Sequence, residues 1–388
     1  MKPDAQLLFQ FARNVRRELH RHPELGFQEI RTAGIIAGEL SRLGIETRTG
    51  VAKTGVVGLL EGDKGNGPVV LLRFDMDALP IQEETGAPYA SENPGVMHAC
   101  GHDGHVAIGL TVARMLSEIR QELRGTVKFV FQPAEEGLGG AEAMIREGVL
   151  ENPHPEVALA IHLWNEKPVG WYGIAEGPLM AGADIFKIRI SGKGGHGALP
   201  HQTIDPITAS AGIIQALQTI VSRNVSPLQP AVLSVTRVRA GEAYNIIPQE
   251  VELGGTLRTF DPEVRKLVLA RFEEMVQNIS AGMQCKAEIE VTELTPPVVN
   301  HPGLASRVRA AIEKYLPGSR IEPDCRTMVS EDMAFILREV PGCYVLVGSA
   351  NPEAGLSYSH HHPKFDFDET AMVGGSELIT AVVRELLD

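Results

Sequence analysis

The run Val69-Val-Leu-Leu-Arg-Phe-Asp75 is apolar except at Arg73 and Asp75. A strand with one wet face alternates apolar and polar residues, and this one does not. It reads as a strand buried on both faces, as in the middle of a parallel sheet. Working outward, Thr54–Glu61 and Thr126–Gln132 read as further strands, and Val106–Glu122 reads as a helix between the second and third. This alternation predicts an α/β layered domain with a central sheet. Before it, Leu7, Leu8, Phe11, Val15 and Leu19 recur at helical spacing. They predict a helix over 4–21, stopped near His22-Pro23, and a second follows over Thr32–Leu43, ended by Gly44.

The pattern changes near residue 183. Asp184–Ser191, Ala231–Arg239, Glu250–Thr259 and Lys286–Leu294 read as strands. Asp205-Pro206 and Asp261-Pro262 are N-cap and N1 pairs that open helices to about Arg223 and Ser280. The order βαββαβ is that of a ferredoxin-like unit. The chain then returns to α/β character, with helix Leu304–Tyr315, strand Cys343–Gly348 and helix Glu369–Leu387. The expected organisation is a discontinuous domain, 1–182 and 295–388, with 183–294 inserted.

The chain has 388 residues and a net charge of -13. That charge argues against a nucleic-acid partner, which favours a basic face, and against docking on anionic membranes. Four scattered cysteines make no disulfide framework, so a reducing cytoplasm is the expected compartment. Charges crowd the first residues and no apolar run of about 7–15 residues lies there, so no secretory signal is expected. No stretch approaches the ~20 apolar residues of a membrane span.

Chemistry concentrates in Met97-His-Ala-Cys-Gly-His-Asp-Gly-His105. Cys100 and His102 lie two positions apart and can close on one divalent ion. After the strand Val127-Lys-Phe-Val-Phe-Gln132 comes Pro133-Ala-Glu135-Glu136-Gly137. Open α/β sheets place sites at such strand ends. In that loop Glu136 can bind metal while Glu135 takes a proton from water. An isolated Glu-Glu pair would be a solvated turn, and the neighbouring candidates change that reading. His162 closes the apolar run Val157-Ala-Leu-Ala-Ile161, and His360-His361-His362-Pro363 follows late in the chain. Thiol, imidazole and carboxylate together suit Zn, Mn, Co or Ni. Gly192-Lys-Gly-Gly-His-Gly197 fits a dinucleotide fingerprint by spelling. The next helix opens only at Asp205, too late to point its N-terminus at a pyrophosphate. The glycines are better read as a tight turn that exposes His196.

Five segments together resemble one family: Leu19-His-Arg-His-Pro-Glu-Leu-Gly-Phe-Gln-Glu29, Asp75-Met-Asp-Ala-Leu-Pro80, His98-Ala-Cys-Gly-His-Asp-Gly-His105, Gln132-Pro-Ala-Glu-Glu-Gly137 and Gly192-Lys-Gly-Gly-His-Gly197. The chain looks like the amidohydrolase branch of the aminoacylase and carboxypeptidase metallopeptidases. That branch includes hippurate hydrolases, N-acyl-amino-acid amidohydrolases and auxin-conjugate hydrolases. The resemblance implies that Cys100, His102, Glu136, His162 and His361 hold two divalent metals per subunit. It makes Glu135 the general base, which later hands its proton to the departing amine. The two metals would lower the pKa of the attacking water. Where the wider family's first metal-binding loop reads His-x-Asp-x-x-Pro, this chain has Asp75, and Asp77 is expected to orient a ligand by hydrogen bonding. His196 would stabilise the oxyanion, and Asn245 and Arg258 would contact the substrate carboxylate. The inserted domain would act as lid and dimerisation domain of a homodimer, with hinges near Met180–Ala183 and Thr295–Val298.

The expected activity is hydrolysis of N-acyl amino acids such as N-acetyl or N-benzoyl derivatives, hippurate among them. A dipeptidase or carboxypeptidase of the same family is the near alternative. A non-catalytic metal-binding protein is the remote one, and it would have no use for Glu135.

Overall fold

A computed structural model describes residues 5–388. The chain divides into two compact units, Met1–Leu179 with Val298–Arg326 and Asp332–Asp388, and Met180–Pro297 with Thr327–Glu331. The first helix runs Ala5–Arg21. Its expected first residue, 4, lies outside the described residues.

The first unit is built on an eight-stranded mixed sheet. Its order is Glu46–Val51, Gly55–Glu61, Thr126–Gln132, Val69–Asp75, Val157–Pro168, Gly342–Ala350, Trp171–Gly173, Arg320–Glu322. The four middle strands, from Thr126–Gln132 to Gly342–Ala350, pair in parallel. Every residue of 70–75 is buried, as the apolar run requires. Val70, Leu72 and Phe74 enter a core shared with the helices Ala5–Arg21, Ile30–Arg42, His102–Glu118, Pro302–Tyr315 and Ala371–Leu386. Leu71, Arg73 and Asp75 point to the opposite face by the two-residue period of a strand. Arg73 there reaches Gln132 (2.8 Å) and Asp332 (2.9 Å).

Two expectations about the site's framework need correction. The helix after the Cys100 loop begins at His102, not Val106. Gly101, at φ 87°, turns the chain sharply enough for helical geometry to start on the very next residue. His162 does not close its strand: Val157–Pro168 continues for six more residues. The continuation pairs with Gly342–Ala350, with Leu346 opposite His162. Pairing with Val69–Asp75 stops at Arg73 opposite Ala160. His162 therefore sits just past the point where the sheet loses one neighbour.

In the second unit the strands Gly182–Ser191, Ala231–Ala240, Glu250–Thr259 and Lys286–Thr295 form an antiparallel sheet. The order runs second, third, first, fourth, which is ferredoxin-like. The helices Pro206–Arg223 and Pro262–Gly282 are capped by Asp205 and Asp261, whose side chains each accept from two backbone N–H groups of the first turn. Residues 327–331 join this unit through Ala181 N–H, which donates to Thr327 O and Val329 O (both 3.1 Å).

Candidate metal centre

The chain places its candidate ligands where the middle of the large sheet ends. Cys100 precedes the Gly101 turn and His102 opens the following helix. Gly104 is needed one step further on, because a Cβ there would lie 2.6 Å from both Leu163 and Phe367 side chains. The helix start is thereby pressed against the strand that carries His162.

Six residues converge. Donor atoms of Cys100, His102 and His162 lie within 4.8 Å of one another, as do those of Cys100, Glu136 and His361, and those of His102, Glu135 and Glu136. Cys100 Sγ is 3.5 Å from His162 Nε2, and His361 Nε2 is 3.3 Å from Glu136 Oε1. The shared members make the three groups one cluster. Of the three late histidines, His361 faces it. His360 turns inward to donate from Nε2 to Leu163 O (2.9 Å), and His362 stacks on Tyr358 with ring centroids 4.6 Å apart. His361 is held by its own N–H on Ala99 O (2.8 Å), with φ 65°, a left-handed conformation that His tolerates better than most residues.

Hydrogen bonds decide where the lone pairs point. His102 Nδ1 donates to Asp77 O (3.0 Å) and lies 3.2 Å from Asp77 Oδ1, which leaves Nε2 as the basic nitrogen. Asp77 Oδ2 accepts from Glu136 N–H (3.0 Å), so one carboxylate braces two members of the cluster. His162 Nδ1 donates to Leu163 O (2.7 Å), which frees its Nε2. His102 Nε2 is buried without a hydrogen-bond partner, and the equally buried Glu136 Oε1 faces His361 Nε2 at 3.3 Å. Orphaned buried acceptors are costly unless something else satisfies them. A thiol, three imidazoles and a carboxylate with lone pairs aimed inward fit a divalent cation of borderline softness.

The electrostatics agree with that fit. Burial, with Glu136, Glu135 and Asp75 close by, pushes the Cys100 thiol well above its usual pKa. Burial opposes the charged form of His102, but Asp75, Asp77 and Glu136 prevail and carry it up to about 10. This pocket attracts positive charge and would release a thiolate only to a cation. His162, by contrast, is held neutral: burial, then His105 and His360, lower it well below the usual value.

Several residues that shape the site carry no mark in their local sequence. Glu29 accepts from Ala134 N–H (2.9 Å) and from the Thr54 hydroxyl, and so anchors the loop that presents Glu135. Arg16, fully buried, bonds Asp103 (2.8 Å) and Asp366 (2.7 Å), while His20 Nδ1 lies 2.7 Å from Asp103. Asp103 follows His102 directly, so the first helix holds the ligand loop. Glu29 and His20 do fall within the segment 19–29 that carries the family resemblance. Their position in that motif was the available signal.

His196, Asn245 and Arg258 belong to the second unit. His196 pairs with Ile246 in a two-stranded ribbon, and its Nδ1 accepts from Ala198 N–H (3.0 Å). Its ring proton therefore sits on Nε2. Asn245 O accepts from Gly197 N–H (2.8 Å), tying it to the same turn. Arg258 Nη1 donates to the Ser330 hydroxyl (2.7 Å). The helix beyond the glycines starts at Pro206, which excludes a dinucleotide cradle at 192–197.

Comparison with known proteins bears on the whole chain. Residues 71–385 match peptidase family M20/M25/M40. The N-acetyl-L-cysteine deacetylase of Bacillus subtilis (strain 168) is 41% identical over 374 residues, 96% of this chain and 88% of that protein. An N-acyl-L-amino acid amidohydrolase of Geobacillus stearothermophilus is 48% identical over 287 residues, 74% and 77% of the two chains. Among solved structures, a Bacillus subtilis protein described as a dinuclear metal binding peptidase from the M20 family superposes with a TM-score of 0.87. It is 36% identical and covers 98% of this chain and 99% of its own. The chain belongs to peptidase family M20/M25/M40, and within it is an amidohydrolase enzyme.

Proposed function

We propose that this protein hydrolyses the amide bond of N-acyl amino acids, releasing a carboxylic acid and a free amino acid. The observation that carries the reading is the convergence of Cys100, His102, Glu136, His162 and His361 around the orphaned His102 Nε2, with Glu135 beside them. Those five residues would hold two divalent cations, whose Lewis acidity polarises the scissile carbonyl and acidifies water. Asp77 keeps His102 Nε2 and Glu136 turned into the site. Glu135 takes the proton of the attacking water and returns it to the amine nitrogen, which leaves poorly as an anion. The relatives named for N-acetyl-L-cysteine and N-acyl-L-amino acids support this substrate class.

For the second unit the family resemblance supports His196 as an oxyanion donor and Asn245 and Arg258 as contacts of the substrate carboxylate. The Nε2–H left on His196 and the planar Arg258 fork suit those tasks. We read 183–294 as a lid and dimerisation domain, and the protein as a homodimer. Light scattering that gave a mass near one 42.0 kDa chain would refute the dimer. Cys100, Cys285, Cys325 and Cys343 are all free thiols, which supports a reducing cytoplasm. Among the described residues no helix is long and apolar enough to cross a membrane.

The decisive experiment is a substrate panel on protein stripped of metal and reloaded in turn with Zn, Mn, Co and Ni. N-acetyl amino acids and hippurate should be turned over, and chelation should abolish turnover. The resemblance to a protein described as a peptidase makes dipeptides the necessary controls. Faster cleavage of dipeptides would replace this reading with a dipeptidase.

A further inference from the structure

The strand Val157–Pro168 outruns its neighbour Val69–Asp75, whose pairing ends at Arg73 opposite Ala160. Three residues further on, the N–H and C=O of Leu163 meet no strand on that side. Three imidazoles take its place. Leu163 N–H donates to His105 Nε2 (2.9 Å), and Leu163 O accepts from His162 Nδ1 (2.7 Å) and from His360 Nε2 (2.9 Å). We propose that His105 is a positioning residue for the ligand His162, acting through the Leu163 main chain, that Asp75 locks it there, and that neither residue binds metal. The inference rests on the metal-centre reading above.

The protons follow from the partners. A carbonyl has none to give, so His162 carries its proton on Nδ1 and turns Nε2 toward Cys100. A backbone N–H only donates, so His105 Nε2 is an acceptor and the ring proton sits on Nδ1. That Nδ1 lies 2.5 Å from Asp75 Oδ1, and Asp75 Oδ2 takes Arg73 Nη1 at 2.6 Å. All three side chains are fully buried. Asp75, His102 and His105 do lie close enough together to suggest a metal group of their own. Yet both nitrogens of His105 are already used, and each Asp75 oxygen already faces a donor. The remaining lone pairs in this corner are on His102 and His162. The chain Arg73–Asp75–His105–Leu163 thus fixes one tautomer and aims the next imidazole, the role that outer hydrogen bonds play around metal ligands.

Three substitutions at 105 separate the roles. His105→Gln places an acceptor near the Nε2 position and can still take the Leu163 N–H. His105→Asn keeps a donor toward Asp75 but falls short of Leu163. His105→Ala loses both. For each variant, cobalt(II) stoichiometry, cobalt(II) affinity by chelator competition, the thiolate-to-cobalt absorption band and the thermal midpoint are measured. All three should bind the parent's number of cobalt ions. Affinity should fall about 10–100-fold in the Asn and Ala variants, with a shifted absorption band, and return most of the way in the Gln variant. Asp75→Asn should also keep full stoichiometry with weakened affinity.

Loss of one cobalt equivalent in Asp75→Asn or in the 105 series would make that residue a ligand and overturn the inference. Parental affinity and spectrum in the Asn variant, with only a lowered thermal midpoint, would reduce His105 to packing and overturn it as well. If the Ala variant fails to fold, the Gln and Asn pair, closer in volume, carry the comparison. A parent chain that took up no cobalt would sink the metal-centre reading itself, a result distinct from either.

Discussion

The two sheets use charge in opposite ways. In the eight-stranded sheet, Arg73 and Asp75 sit fully buried on a strand covered on both sides, and Arg16 is equally buried in the helix layer above. In the four-stranded sheet, one face packs Phe186, Ile188, Ile190, Val251, Leu253 and Leu257. Its other face carries Lys187–Glu252 (3.1 Å), Arg189–Glu250 (3.2 Å) and Arg237–Glu252 (2.9 Å), all reached by solvent. An antiparallel sheet with one wet face can leave its charges in water, where pairing matters little. A strand buried on both faces cannot, so a charge there must be met inside the protein, as Arg73 is by Asp75 and Asp332 and Lys128 is by three backbone carbonyls. The first unit accepts that cost at the strand ends where the candidate ligands gather.

Variants test how far this contrast reaches, beginning with the largest expected effect. Glu135→Gln should lower kcat on an N-acetyl amino acid by at least about 10²–10⁴-fold while metal content and thermal midpoint stay at the parent's values. Turnover assays beside elemental analysis check it, and parental turnover would remove Glu135 from the chemistry. Arg16→Met removes the buried guanidinium that Asp103 and Asp366 share, leaving Asp103 only His20 and Asp366 only the Tyr89 hydroxyl as side-chain hydrogen-bond partners among the described residues. Urea unfolding should show a loss of about 3–5 kcal/mol, the usual result of breaking a buried pair from one side.

The third test is the pH dependence of His20. Burial and Arg16 work against its charged form, but Asp103 and Glu83 prevail and raise its pKa above the usual histidine value. A raised pKa means the folded state holds the proton more tightly than the unfolded one. The associated stability is complete below the unfolded value of about 6.5 and fades as pH rises through the folded value. The stability gap between parent and His20→Gln should therefore narrow as pH is raised above about 6.5, and a widening gap would reverse the assignment.

The smallest effect belongs to the second sheet. Arg189→Met, on the exposed ladder, should leave the thermal midpoint unchanged within error. A loss comparable to that of Arg16→Met would break the contrast between the two sheets.

Much of this architecture is legible in local chemistry. Asp205 and Asp261 announce their helices because an N-cap needs only the next three residues. The apolar run 69–75 declares a doubly buried strand. The strand Glu46–Val51 left no such mark, since Glu-Thr-Arg-Thr-Gly-Val is polar and mostly exposed at the sheet edge. Trp171–Gly173 and Arg320–Glu322 are three residues each, too short for any periodicity. At the candidate site, the chemistry-bearing residue types and their loops were readable from spacing and motif. The supports were not, because their partners lie far along the chain. Arg16 meets Asp366 across 350 positions, and Gln132 meets Asp332 across 200.

The sequence by itself determined the layered class, the ferredoxin-like order of the second unit and the inventory of candidate ligands, since each follows from periodicity or short-range chemistry. Only the tertiary structure decided that His162 lies within its strand, that the helix opens on His102 rather than Val106, and that Leu163 meets imidazoles where a strand would be. Those facts depend on which strand ends first, and that is a property of the assembled sheet. The direction of each imidazole lone pair is settled the same way, by whether its neighbour is a carbonyl or an N–H.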